Sequence, residues 1–429
     1  MIVTIHRGSH QIGGTCIEVA TSNTRIILDV GQPLGDPDAP AKKDQNKDLP
    51  QVPGLFEDLF EEGPKVDAVV LSHAHGDHTG LLRWVRKEIP VYLSRGTSKM
   101  LMAGSIFAGQ HKLARARQRT LRPLQPTRIG DITITGFPVD HSAFDSLAFL
   151  IEADGKRLLY SGDLRMHGRK PGMAAQLIRH ISSRPVDLML MEGTNIARPQ
   201  RTGSSTENEV QEHFHKTMQA CPSLVLANFS PMHVDRMVSF YKAARKANRE
   251  FVVDVYGAFV LHLASGQCKI PKPTRRNQIA VYYNQSFERT WEMRNLGKVR
   301  EMFLGDHIEL SEVLAEPEAY VMMFRPSMLK PDFGNSLPEH TYCIYSYWSG
   351  YLKQPQYTRL REKLAGVSGE LLEIHTSGHI SRPDAIEFVQ AIAPHKVAPI
   401  HTETPDEFLS CFPNAIIIPD GQPHVVDQA

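Results

Sequence analysis

HAHGDHTG, residues 73–80, puts His73, His75, Asp77 and His78 into one short turn, directly after the apolar run 66–72 and before a stretch of helical composition at 80–88. A nearly continuous apolar run suits a strand buried on both faces, as in a layered α/β domain. Alternate side chains of an extended segment share a side, so His73 and His75 can face one metal ion. Asp77 and His78, at the entrance of the predicted helix, can face a second. One turn cannot complete two such sites, so further ligands are expected at other strand ends. His141 follows a strand expected at 132–139, Asp163 follows one at 157–161 in the string YSGD, and His401 follows one at 396–400. Each alone is an ordinary loop residue; as a set at strand ends they are candidate ligands.

Working outward, residues 1–198 read as short strands at 2–6, 15–21 and 25–30, then strands alternating with helices. Segments 147–152 and 157–161 flank Asp154-Gly155, a hairpin signal. From about 200 to 365 the texture is βαβ. Thr206-Glu207-Asn208-Glu209 is a capping box opening a helix with Val210, Phe214 and Met218 on one face, followed by a strand at 224–228, a helix at 232–247 and a strand at 250–255. Residues 366–429 return to strands at 371–375, 396–401 and 415–418 with a helix at 382–392, while 36–44 and 271–273 read as exposed loops. Domain boundaries are therefore expected at 1–198, 199–365 and 366–429.

Composition narrows the function class. Lys plus Arg total 48 and Asp plus Glu 47, a net charge of +1, so any polyanion must be held by local patches. No apolar stretch approaches the roughly 18 residues of a membrane span, and the N-terminus does not read as a signal peptide. The five cysteines are scattered and never spaced as C-x-x-C, which suits reduced thiols and a cytoplasmic location.

Asp29, HAHGDH, His141 and Asp163 resemble the first four motifs of the metallo-β-lactamase superfamily. Glu192 in MEGTN, His379 in HTSGHIS and His401 in PIHTE resemble motifs A, B and C of its beta-CASP nuclease branch. Within that branch the strings MEGTNIARPQRTGSSTENEV, ANFSPMHVDRM and TSGHIS are most similar to ribonuclease J. The resemblance implies an αββα sandwich with an inserted α/β beta-CASP domain. It implies a metal-dependent ribonuclease acting on RNA, expected to be single-stranded, in RNA processing or decay, by 5′ to 3′ exonucleolytic or endonucleolytic cleavage. His73, His75 and His141 would bind one ion, Asp77, His78 and His401 the other, and Asp163 both. Two Zn²⁺, or Mn²⁺ given the oxygen-rich donors, would activate a shared water as the attacking hydroxide. Asp29 would hold a ligand imidazole or the metal loop without touching metal. His379, oriented by Glu192, would protonate the departing ribose oxygen, so that Asp77, Glu192 and His379 carry the catalytic roles. Ser230, His233, Ser377 and Gly378 would position substrate phosphate.

Three basic clusters are candidate RNA contacts: Lys112, Arg115, Arg117, Arg119 and Arg122; Lys242, Arg245, Lys246 and Arg249; and Lys269, Lys272, Arg275 and Arg276. Tyr345, Tyr347, Trp348 and Tyr351 either stack bases or pack as alternate residues of a strand. RPSM at 325–328 and YSYWSGYL at 345–352 depart from the family pattern, which points to a shifted substrate preference. Only 28 residues follow His401, so the dimerisation domain usual in ribonuclease J is not expected. The rivals are a DNA-processing nuclease of the same branch, which usually has valine where His401 stands; a small-molecule hydrolase, which has no need of the insertion; and a non-catalytic scaffold, which predicts gaps in the ligand set.

Overall fold

The computed structural model describes residues 1–34, 59, 65–198 and 206–427. It divides the chain into two compact units, Met1–Arg201 with Gly378–Ala429, and Thr202–Ser377.

The first unit stacks two sheets. One runs in the order β19 (Pro423–Val425), β1 (Ile2–Arg7), β2 (Cys16–Ala20), β3 (Arg25–Leu28), β4 (Ala68–Val70), β5 (Val91–Leu93), β6 (Gln118–Thr120). It is antiparallel as far as β3 and parallel beyond. The other runs β18 (Lys396–Ile400), β11 (Leu188–Glu192), β10 (Lys156–Tyr160), β9 (Leu147–Ala153), β8 (Ile132–Pro138), β7 (Thr127–Ile129). Its period-two alternation sorts the side chains into two cores. Leu158, Tyr160, Leu188, Leu190, Ala398 and Ile400 meet Val3, Ile5, Ile26, Leu28 and Val70 between the sheets. Leu159, Met189, Met191 and Val397 face away, onto Leu177, Phe388 and Phe408 of the helices Gly172–Ile181, Arg382–Ile392 and Asp406–Cys411. The result is an α/β sandwich. At about 1.5–3 kcal/mol per fully buried aliphatic or aromatic side chain, these cores offset the cost of burying charge at the strand ends. Asp154 and Gly155, both at positive φ (52° and 71°), make the tight turn from β9 to β10.

Three expectations are corrected. The stretch 80–88 is not helical; only Gly76–Thr79 forms a turn of helix. The carbonyls that would continue it are used elsewhere, that of Asp77 by Thr15 N at 3.2 Å and that of His78 by Val30 N at 2.8 Å, while Leu81 N turns to Val30 O. Segment 415–418 makes one bridge, Ala415 to Val397, rather than a strand. The second domain boundary lies between Ser377 and Gly378, not at 365/366, because β17 (Glu370–Glu373) pairs with β16 (Tyr342–Tyr345) in the second unit. The loop expected at 36–44 lies outside the described residues, and within 271–273 Pro273 is buried.

The second unit is a parallel sheet in the order β14 (Ile279–Tyr282), β13 (Glu250–Asp254), β15 (Tyr320–Met323), β12 (Val225–Asn228), β16, β17. Its first helix, Glu207–Ala220, is capped by Thr206, whose hydroxyl accepts from Glu209 N at 3.1 Å. Among the described residues no helix is long and apolar enough to cross a membrane. All five cysteines are free thiols.

Candidate metal centre

Every candidate ligand lies in the first unit, at the carboxyl end of a strand. The chain leaves β4 into Ser72 and His73, and the single helical turn Gly76–Thr79 presents Asp77 and His78. His141 follows β8, Asp163 follows β10 and His401 follows β18. Two groups form. His73, His75 and His141 make one; Asp77, His78, Asp163 and His401 make the other, with the ligand atoms of each group within 4.8 Å of one another. His75 Nδ1 lies 3.2 Å from both His73 Nε2 and His141 Nε2. In the second group His401 Nε2 is 3.2 Å from Asp77 Oδ2, and His78 Nε2 is 3.1 Å from Asp163 Oδ2. Asp163 also faces the first group, at 3.7 Å from His73 Nε2 and 3.8 Å from His141 Nε2.

Three of the imidazoles, those of His78, His141 and His401, are aimed by a partner on the other side. Asp29 accepts from Ser72 N (2.8 Å), Ser72 Oγ (2.7 Å), Tyr160 OH (2.5 Å) and His78 Nδ1 (2.8 Å), which leaves His78 Nε2 turned into the centre. His141 Nδ1 donates to Gly378 O at 2.6 Å, and His401 Nδ1 faces the Thr194 hydroxyl at 2.8 Å. Asp29 and His401 hold this geometry at positive φ, 57° and 52°, an uncommon conformation for such residues.

The donor set fits a divalent cation. His78 Nε2 and both carboxylate oxygens of Asp163 are buried without a hydrogen-bond partner, a costly arrangement unless something else is coordinated there. Burial, reinforced by neighbouring imidazoles, pushes His73 and His141 well below the usual histidine range, and burial lowers His75, so these nitrogens keep their lone pairs. Burial opposes ionisation of Asp163 and Asp77, yet His401 and His78 hold both carboxyls low. His78 runs the other way: burial lowers it, but Asp163 and Asp29 raise it well above its ordinary value. Carboxylates that raise a buried imidazole in this way have negative charge to spare for a metal.

Glu192 ends β11 and is fully buried; its Oε1 accepts from Leu164 N and Ile380 N (both 3.2 Å) and faces His379 Nδ1 at 3.3 Å. His379 Nδ1 is also 3.1 Å from the Thr194 hydroxyl and 3.7 Å from Asp163 Oδ2, and the side chain remains 22% exposed. Burial would lower its pKa, but the charges of Glu192 and Asp163 raise it to about 9. Sequence reasoning overlooked Thr194, Ser72 and Tyr160. Ser72 stands beside a quoted motif, and Thr194 and Tyr160 lie inside the quoted strings MEGTN and YSGD, but their residue types alone do not single them out.

The proposed phosphate residues fall into different surroundings. Ser230 and His233 share one turn of the second unit, with Ser230 Oγ accepting from Met232 N at 3.3 Å and Ser230 O from His233 N at 3.0 Å; Ser377 also belongs to that unit. Gly378 opens the return to the first unit, and its carbonyl is engaged by His141. A Cβ there would lie 2.6 Å from Ser142 Oγ and 2.9 Å from Ser142 Cβ, so the position has no room for a side chain. Several basic candidates are tied into the fold. Arg117 donates to the carbonyls of Ile89 and Arg86, Arg249 to those of Cys221 and Ser223, and Arg275 pairs with Glu312. Lys112, Arg115, Arg122, Lys269, Lys272 and Arg276 are exposed.

Comparison with known proteins agrees with this architecture. Residues 48–234 match the model of the β-lactamase superfamily domain, a stretch that includes HAHGDH, His141, Asp163 and Glu192. The chain is similar to ribonuclease J of Helicobacter pylori strain 26695 (24% identity over 251 residues, 57% of this chain and 35% of that protein). It is similar also to those of Corynebacterium glutamicum (28% over 252 residues, 57% and 33%) and Mycobacterium tuberculosis strain CDC 1551 (26% over 255 residues, 56% and 42%). The matched part thus spans between 33% and 42% of these three relatives. A crystal structure of a protein of unknown function from Enterococcus faecalis V583 shares the fold at a TM-score of 0.79, with 24% identity and 99% of each chain covered.

Proposed function

We propose that this β-lactamase-superfamily chain is a metal-dependent ribonuclease that hydrolyses RNA phosphodiester bonds, similar in activity to ribonuclease J and working in the cytoplasm. The observation that carries the reading is Asp163, a buried carboxylate with no hydrogen-bond partner, within 3.9 Å of imidazoles of both ligand groups. Similarity to ribonuclease J supplies the substrate class.

His73, His75 and His141 would hold one ion, Asp77, His78 and His401 a second, with Asp163 shared; Zn²⁺ suits the imidazole-rich group and Mn²⁺ the oxygen donors. Bound metal would supply Lewis-acid polarisation of the phosphate and a lowered pKa for water. The chain's own residues do the rest. Asp29, Gly378 O and Thr194 keep the imidazoles turned inward, so little reorganisation is needed when substrate binds. His379, protonated at neutral pH through Glu192 and Asp163, donates a proton to the departing ribose oxygen. Glu192 orients it from a fully buried position and so is a positioning residue. Ser230, His233 and Ser377 offer hydroxyl and imidazole donors to substrate phosphate.

The test is incubation of the purified protein with end-labelled RNA bearing a 5′ monophosphate, triphosphate or hydroxyl, alongside a matched DNA. A ladder from one end means exonucleolytic action, and internal fragments mean endonucleolytic action. Faster cleavage of DNA would move the protein to DNA processing, and no cleavage of either with metal supplied would overturn the reading.

A further inference from the structure

The two strings that depart from the family pattern, at 325–328 and 345–352, meet in the second unit. β12 lies between β15 and β16 in a parallel sheet, and Asn228 ties the two exits together. Its side-chain amide donates to Phe324 O at 2.9 Å, and its carbonyl accepts from Ser346 N at 2.9 Å. Both segments therefore leave from the carboxyl edge of the sheet, the edge at which parallel sheets bind ligands.

The expectation that Tyr345, Tyr347, Trp348 and Tyr351 pack as alternate strand residues holds for Tyr345 and in part for Tyr347, which packs on the core beyond the end of the strand, and fails for Trp348 and Tyr351. Tyr345 is buried at the end of β16, and its hydroxyl donates to Trp348 O at 2.6 Å, fixing the turn that follows. Trp348 and Tyr351 are then left 46% and 39% exposed. The indole is nevertheless held in place. A Cβ on Gly350 would lie 2.3–2.6 Å from three carbons of its six-membered ring, so the ring rests against the bare α-carbon of that glycine. Tyr351 braces it nearly perpendicularly, with centroids 5.4 Å apart, and Tyr347 stands 6.4 Å from Tyr351. An indole backed by glycine and braced by a second ring has lost its mobility without being covered, which is the state a stacking surface requires. On the same edge Arg325 pairs with Asp254 through Nη2, while its Nη1 is buried with no hydrogen-bond partner; Tyr347 lies close enough to Arg325 to interact electrostatically.

We propose that Trp348, seated on Gly350 and braced by Tyr351, is a stacking platform for a base of single-stranded RNA. The inference rests on the ribonuclease reading and adds a contact in the second unit that cleavage chemistry does not require. Base stacking on one aromatic ring changes affinity by roughly 5- to 150-fold.

The test uses the full chain with metal chelated, so that RNA is bound but not cut, and reads anisotropy of a labelled single-stranded oligomer. Trp348→Ala should weaken binding within that range, Trp348→Phe less, and Gly350→Ala should weaken it by displacing the indole. An abasic oligomer with the same phosphates should bind the parent and Trp348→Ala alike. With metal restored, Trp348→Ala should raise KM on RNA and leave kcat unchanged. Normal RNA binding and KM in Trp348→Ala, with or without a change in self-association, would overturn the platform while leaving the ribonuclease reading intact. A parent protein that neither binds nor cuts RNA would overturn both.

Discussion

Asp29 Oδ2 receives His78 Nδ1 at 2.8 Å, and the same carboxylate ties down Ser72, the residue before His73. One buried side chain therefore steers a member of each ligand group. Asp29→Asn keeps an acceptor for Ser72 but replaces one oxygen with an amide facing His78. Metal affinity should fall about 10- to 100-fold, the usual cost of losing a residue that orients a metal ligand. Titration against a chelating indicator measures this, and unchanged affinity would show that Asp29 is only a turn residue.

Metal content is the next expectation. Two ligand groups joined by Asp163 imply about two ions per chain in active protein. Asp163→Asn should disturb both and abolish cleavage, while His73→Ala should primarily affect the first. Elemental analysis that finds one ion in fully active enzyme would defeat the two-ion arrangement.

His379→Ala separates proton donation from metal binding. It should cut turnover by a factor on the order of 10²–10⁴ with metal content unchanged, and the loss should shrink on a nitrophenyl phosphodiester, whose leaving group needs no proton. His379 has a raised pKa, so its acid form is present at neutral pH and is lost as pH rises through it. Activity should therefore carry an alkaline limb. Glu192→Gln removes the largest raising influence and should shift that limb toward lower pH. If His379→Ala loses metal, the side chain is a ligand.

Gly378 offers a test by rescue. Gly378→Ala forces a methyl onto Ser142 and displaces the carbonyl that His141 uses, so metal affinity at the all-histidine group should drop. Adding Ser142→Gly removes the obstructing atoms and should restore much of the affinity. Failure of that double variant to recover would mean the glycine serves substrate instead.

Acid stability can be read away from the centre. Glu18 on β2 takes Arg25 of β3 at 2.9 and 3.0 Å and His6 of β1 at 2.9 Å. Burial would raise its carboxyl, but these two partners hold it at about 2. A carboxyl depressed in the folded state stabilises above its unfolded pKa, roughly 4.3, and that contribution is lost as pH falls toward 2. Glu18→Gln should flatten the acid limb of thermal stability across that window; an unaltered slope would remove Glu18 from the account.

The convergence of HAHGDH with His141, Asp163 and His401 was legible because polar side chains stacked at strand ends leave a pattern in the order of residues. What was hidden depends on where backbone groups go. Nothing in 80–88 reveals that the carbonyls of Asp77 and His78 are taken by Thr15 and Val30, which stops the helix after one turn. Nor does TSGHIS announce that the Gly378 carbonyl orients a histidine 237 positions away. The boundary at 377/378 was misplaced for a related reason: β17 is a short strand with only half-buried apolar residues, and its pairing with β16, not its composition, assigns it to the second unit.

The chain crosses between its units twice, and the crossings are unequal. At the second, the residue that re-enters the first unit also steers His141, and the next residue is His379. A circular permutant opened between Ser377 and Gly378 would turn that glycine into a chain end, free to swing with the imidazoles that depend on it. A permutant opened between Arg201 and Thr202 would leave this link unbroken. Of two rearranged chains with identical composition, the second should retain the metal centre and the first should lose it.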